Sequence, residues 1–172
     1  HPYSMGWPFA RGCHFEMDMT DYSCCDFIEI SNNLEPLHEV NERGLLLWEN
    51  LVLAGERIAA TCGMDLHGNS SLHGHFSTYI QGEENGDIAK ELDTAIRSQK
   101  TWVSKGPLLL THIQNDILSF SVQQTGKPGY QQPEEESYLI TLRSTSRTIT
   151  CHLSDTIPLS EFGCDLSIIP KL

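Results

Sequence analysis

A chain of 172 residues is long enough for one domain with a real core, or for a smaller core plus an appended module. Its formal charge of −12, with only 11 Lys and Arg scattered along it, argues against a nucleic-acid partner held by its phosphates, because that binding needs clustered basic residues. A hydrophobic fraction of 39% suits a folded globular protein, and no apolar run approaches the ~20 residues of a membrane span, so no membrane partner is expected.

No secretory signal is visible at the start, and a chain that begins at His1 reads as one that has been cleaved or as part of something longer. Residues 1–22 lack periodicity. Pro2, Gly6, Pro8 and Gly12 punctuate them, with aromatics and methionines between, which predicts a loop packed over a site. Residues 25–30 read as a short strand ended by Ser31-Asn32-Asn33. Asn41 is placed to cap a helix that runs through Leu53. The apolar positions Leu45, Leu46, Trp48, Leu51, Val52 and Leu53 cover more than one stripe, so a well-buried helix is expected. Gly55 stops it. Residues 57–63 form a β-type run, and Met64-Asp65-Leu66-His67-Gly68 follow at its C-terminal end. Strand, helix and strand with short connections predict a βαβ unit, hence a parallel sheet with its site at the strand C-termini.

A second helix is expected over residues 87–99, where Ile88, Leu92, Ala95 and Ile96 recur at spacings of three and four. Residues 101–103 and 108–113 are extended. From Ile117 onward apolar residues alternate with polar ones: Leu118, Phe120 and Val122, then Tyr138, Ile140 and Leu142, then Ile149, Cys151 and Leu153. Residues 125–136, rich in Gly, Pro and Gln, read as a hairpin loop. The chain is therefore expected to divide into an α/β part, residues 1–115, and a small antiparallel β-rich region, residues 116–172.

The six cysteines, Cys13, Cys24, Cys25, Cys62, Cys151 and Cys164, contain no CxxC pair. Their density is low for a disulfide scaffold, so they read as reduced thiols, which favours a cytoplasmic setting. Asn69-Ser70-Ser71 is a glycosylation sequon of a kind common by chance.

Three features carry possible chemistry. Asp65-Leu66-His67 ends an apolar strand, where alternation turns both side chains to one face, and carboxylate plus imidazole suits Zn, Mn or Fe. A buried Asp–His hydrogen bond is the bland alternative. His1-Pro2 heads the aromatic loop. His73-Gly74-His75 lies among Gly and Ser and reads as a polar surface loop. His14, His38, His112 and His152 have no partner at ligand spacing.

These residues stand in a recognisable order. His1-Pro2-Tyr3, the strand Asp26-Phe27-Ile28-Glu29-Ile30-Ser31-Asn32, the helix Leu47-Trp48-Glu49-Asn50-Leu51-Val52-Leu53-Ala54-Gly55 and the segment Gly63-Met64-Asp65-Leu66-His67-Gly68 resemble metallohydrolases of the polymerase and histidinol phosphatase (PHP) superfamily, in particular the CehA/McbA-type branch. Thr78-Tyr79-Ile80 and Trp102-Val103-Ser104-Lys105-Gly106-Pro107-Leu108 extend the likeness to about residue 115. The resemblance implies the C-terminal part of a distorted (β/α)7 barrel carrying a di- or trinuclear metal site. It also implies a phosphoesterase acting on a phosphorylated small molecule, with His1, Asp65 and His67 as metal ligands and Asp65 and His67 as catalytic residues. Glu29 matches a position beside a barrel strand and is assigned a supporting role. Met64 replaces the Ser of the family's GSDxH motif.

The family's opening HxH motif, its metal-bridging glutamate and an intermediate histidine all precede the HP motif and have no counterpart here. The chain is accordingly expected to be a poor enzyme alone and to self-associate or pair with a missing N-terminal half. Other readings stay open: a non-catalytic PHP-derived binding module, a β-rich binding domain, or copper chelation by His1 as a free N-terminus.

Overall fold

The computed structural model of the chain describes residues 3–5, 14–16, 21–32, 36–64, 75–128 and 138–162. They belong to two compact units, His1–Gly106 with Lys127–Tyr130, and Pro107–Gly126 with Gln131–Leu172.

In the first unit, strands β1 (Tyr3–Met5) and β2 (His14–Glu16) pair antiparallel. Next come β3 (Phe27–Asn32), helix α1 (Glu42–Leu53) and β4 (Ala59–Gly63), with β3 and β4 parallel. Alternation puts Ile28 and Ile30 on one face of β3, where they form a core cluster with Ile58 and Ala60. Leu45, Leu47, Trp48 and Leu51 of α1 pack against that cluster. The Trp48 indole N–H donates to the Ile58 carbonyl at 2.9 Å, so the one polar atom of a large apolar side chain is satisfied.

Both ends of α1 are set by identifiable residues. At its C-terminus the Glu56 N–H donates to the Leu51 carbonyl and the Gly55 N–H to the Val52 carbonyl. Gly55 has φ +95°, a Schellman stop that a residue without Cβ makes at no steric cost. Asn41 occupies the N-cap position but leaves the helix N–H groups alone. Its buried side chain instead accepts from the Asn32 N–H at 3.1 Å, holding the end of β3 against the start of α1. The expectation of a well-buried helix is corrected. Leu46 and Val52 are 42% and 41% exposed, because among the described residues only the β3–β4 side of α1 is covered by a core cluster.

Strands β5 (Ser77–Ile80) and β6 (Thr101–Ser104) pair antiparallel and are connected through α2 (Ile88–Arg97). The Asp87 carboxylate caps α2 by accepting from Ala89 and Lys90 N–H groups. Hydroxyls link these strands to β4: the Cys62 N–H donates to Thr78 Oγ1 at 2.9 Å, and Thr101 Oγ1 donates to the Ala60 carbonyl at 2.8 Å.

The second unit contains β7 (Leu108–Gln114), β8 (Ile117–Gln123), β9 (Leu139–Arg143), β10 (Thr148–His152), β11 (Ile157–Pro158) and a one-turn helix α3 (Leu159–Phe162). The sheets run β11-β8-β7 and β10-β9, all antiparallel. The alternating residues Leu118, Phe120, Ile140 and Cys151 make the core together with Leu159. Asn115 and Asp116, at φ +51° and +63°, form the two-residue turn joining β7 to β8.

The (β/α)7 barrel is not present. A barrel of that kind needs every strand paired on both sides in parallel register. Here the described strands fall into five small sheets, β3 and β4 pair only with each other, and every remaining pair is antiparallel. Where they are described, the segments that resemble PHP proteins lie on a single parallel βαβ unit and on the antiparallel pair β5 and β6.

Candidate functional site

The candidate site lies at the C-terminal end of β3 and β4. Three residues expected to act there, His1, Asp65 and His67, lie outside the described residues, as do His73 and Gly74. What is described is the platform on which the 65–74 segment begins.

Glu29 is its main feature. It alternates onto the face of β3 opposite Ile28 and Ile30, and the pairing with β4 shifts register between Glu29 and Ser31. Its carboxylate lies directly on Gly63. A Cβ at that position would sit 2.2 Å from one carboxylate oxygen and 3.0 Å from the other. Any larger residue there would displace the Glu29 carboxylate. The Asn32 side-chain amide donates to Glu29 Oε1 at 2.9 Å and fixes the carboxylate there, two residues before Asp65 in the chain.

Around the same strand end sit Cys62, Ser77, Thr78 and Lys127. The Cys62 thiol lies 3.5 Å from Thr78 Oγ1. Burial pushes this thiol up and the Glu29 charge adds to the shift, while the Thr78 hydrogen bond and Lys127 oppose it. The Lys127 ammonium donates to Ser77 Oγ at 2.6 Å and to the His75 carbonyl. Burial lowers its pKa, against the pull of Cys62. Lys127 has no sequence signature. It comes from the Gly- and Pro-rich loop after β8, and only the fold returns it to β5. Glu29 was legible as part of a strand motif, but not its contact with Gly63.

Two surface grooves lie elsewhere. One, of about 560 Å³, runs along α2 between Gln81, Asp87, Lys90 and Lys100. Its Glu91 carboxylate accepts from the Glu83 N–H at 3.1 Å, which ties down the loop before the helix. The other lies in the second unit beside β10, with Arg147, Thr150 and Asp155 on its walls. His112, unassigned by spacing, bonds Ser121 across β7 and β8 through Nε2 at 2.8 Å, a cross-strand structural use.

Among the described residues no three His, Cys, Asp or Glu side chains converge as metal ligands. Glu29 is the carboxylate described at this strand end, and the ligands expected there, His1, Asp65 and His67, lie outside the described residues. Among the described residues, Cys24, Cys25, Cys62 and Cys151 form no disulfide. Comparison with family models, curated proteins and solved structures gives no match, so the likeness to PHP proteins stands on the residues quoted for it.

Proposed function

We propose that this chain carries a metal-dependent hydrolase site for phosphoesters at the C-terminal end of β3 and β4. His1, Asp65 and His67 are its ligands and Glu29 is the carboxylate beside them. One observation carries this reading: Asn32 holds the Glu29 carboxylate against Gly63, at the end of a parallel strand pair, immediately ahead of the Asp65-Leu66-His67 triplet. Strand C-termini of α/β units are where ligand sites are built, and the mixed oxygen and nitrogen donors suit Zn, Mn or Fe. A divalent ion bound there supplies a Lewis acid and a water of lowered pKa. Asp65 and His67 orient the site, Glu29 accepts a hydrogen bond from the attacking water, and Lys127 adds positive charge near the strand end. The substrate class is a phosphomonoester or phosphodiester of a small molecule. Pairing with a further chain segment or a second copy completes the ligand set.

A second reading, a non-catalytic binding module, is favoured by the same bond seen differently: a Glu29 carboxylate engaged by Asn32 also serves to fasten β3 at its end. The two separate in one assay. Hydrolysis of p-nitrophenyl phosphate and bis(p-nitrophenyl) phosphate is measured with Zn, Mn and Fe(II) added in turn. The hydrolase reading expects slow, metal-dependent turnover that Asp65→Ala and His67→Ala lower by about 10²-fold. A folded chain that turns over neither ester with any of the three metals leaves the binding module as the account.

A further inference from the structure

Ser77 and Lys127 are 50 positions apart in sequence, and the fold puts the hydroxyl of one on the amine of the other. Ser77 opens β5, where it pairs with Ser104 of β6. Lys127 follows Gly126, whose φ of +65° turns the chain just ahead of it. The Lys127 Nζ lies 2.6 Å from Ser77 Oγ and donates as well to the His75 carbonyl. Thr78, the next hydroxyl along β5, is engaged differently, because its Oγ1 takes the Cys62 N–H at 2.9 Å. Ser77 and Lys127 are both half-buried, so the pair is partly withdrawn from water yet keeps some surface exposed.

A serine hydroxyl is a weak nucleophile until a base takes its proton. The arrangement that activates one is a base within ~2.6–3.2 Å that a third group orients. Lysine is the base in some acyl-transfer enzymes, provided its amine can lose a proton at working pH. The parts are present here. The amine lies at the short end of that range, the His75 carbonyl orients it, and burial lowers the Lys127 pKa against the pull of the ionisable Cys62. In the ammonium form Lys127 donates to Ser77. Once neutral, the amine keeps an N–H on the His75 carbonyl and turns its lone pair to the Ser77 hydroxyl, which becomes the donor.

We propose that Ser77 and Lys127 form a serine–lysine dyad for acyl transfer from small carboxylic esters, with Ser77 as nucleophile and Lys127 as base. The dyad shares Lys127 with the phosphoesterase reading but needs no metal and none of His1, Asp65 and His67. Ser77 Oγ attacks the ester carbonyl carbon as its proton passes to Lys127 Nζ. The tetrahedral adduct collapses with loss of the C–O bond to the leaving alcohol, and Nζ returns the proton to that oxygen. Water then adds to the acyl-Ser77 carbonyl by the same route, which releases the carboxylic acid and restores Ser77. No oxidant or cofactor enters.

The test incubates the full chain with p-nitrophenyl acetate in EDTA, which silences metal-dependent hydrolysis and so separates this proposal from the phosphoesterase reading. Nitrophenolate release gives the rate, and intact mass with peptide mapping gives the acetylated residue. The expected result is acetyl on Ser77 and a rate that rises with pH to a midpoint below the ordinary 10.5 of lysine. Ser77→Ala and Lys127→Met should each lower the rate by about 10²–10⁴-fold, the share a positioned base supplies. Lys127→Arg is the deciding variant. It keeps the charge and donors of a structural tie but cannot give up its proton, so the same loss is expected with an unchanged urea midpoint. Should Lys127→Arg disturb folding, the acetylated residue and the pH midpoint of the unaltered chain decide. Full activity in Lys127→Arg, acetyl on Lys127 or a cysteine in place of Ser77, or an undiminished rate in Ser77→Ala would overturn the proposal.

Discussion

Replacing Gly63 by alanine probes the site without touching a proposed ligand. The added Cβ would come 2.2 Å from a Glu29 carboxylate oxygen, and ordinary contact begins near 3.4 Å, so the carboxylate must retreat by about an ångström. It sits at the end of a flexible side chain, so the backbone need not move. The stability cost is that of the Asn32–Glu29 hydrogen bond, about 0.5–1.5 kcal/mol. Function should suffer more, because a misplacement of ~1 Å at a reacting site costs about 10²-fold. Urea unfolding followed by circular dichroism reads the first quantity; metal-dependent turnover of p-nitrophenyl phosphate reads the second. Glu29→Gln, which keeps the shape and removes the charge, should lose activity to a similar degree with little change in the unfolding midpoint. If Gly63→Ala keeps full activity while Glu29→Gln loses it, the position of the carboxylate on Gly63 is irrelevant to function and the geometric reasoning fails.

Gly55→Ala should destabilise the chain by about 1–2 kcal/mol in urea unfolding. Nothing lies within 4 Å of the new Cβ, so the whole cost is that of φ +95° at the Schellman position; an unchanged midpoint would mean the helix end reorganises freely. Asp116→Gly should stabilise by about 0.5–1 kcal/mol, since it turns Asn115-Asp116, both at positive φ, into the Asn-Gly pair that such turns favour. A lower midpoint would show that the aspartate side chain supports the turn. Burial raises the Cys62 and Cys151 thiols above their ordinary 9.0. The folded state therefore holds these protons more tightly than the unfolded one. Their contribution is fully present below that value and is lost as pH rises toward the folded values. Unfolding midpoints should fall from about pH 9 upward, and less steeply in a Cys62→Ser variant.

Elements with local signals were legible from sequence. Gly55 marked the end of α1, the Ile88–Leu92–Ala95 spacing marked α2, and the alternation around Phe120, Ile140 and Cys151 marked the strands whose inward residues form the second core. The parallel pairing of β3 with β4 followed from a helix between two apolar runs with short connections. The barrel did not follow from any residue's local preference. It was implied by motif order, and closure depends on non-local pairing that β3 and β4 make with no further strand among the described residues. Asn115-Asp116 carried a turn signal between two extended runs, yet the change of pattern at Ile117 was read as a boundary; the pairing Gln114 with Ile117 makes it the tip of one hairpin. Asn41 was placed at the helix start by residue type, but a side chain that can either cap or bond a neighbouring strand gives no sign of its choice until Asn32 is beside it. Lys127 reaches Ser77 across 50 positions, beyond any periodicity.

The central claim is that a divalent ion is held at the end of β4 by Asp65 and His67 with Glu29 beside them. Isothermal titration of the metal-stripped full chain with Mn²⁺ and Zn²⁺ tests it most directly, run in parallel on Asp65→Ala, His67→Ala and Glu29→Gln. The expected result is binding by the unaltered chain that weakens by more than about 10²-fold on loss of either ligand and by about 10–100-fold on loss of the Glu29 charge. Equal metal affinity in all four proteins, or no binding by the unaltered chain, would contradict it.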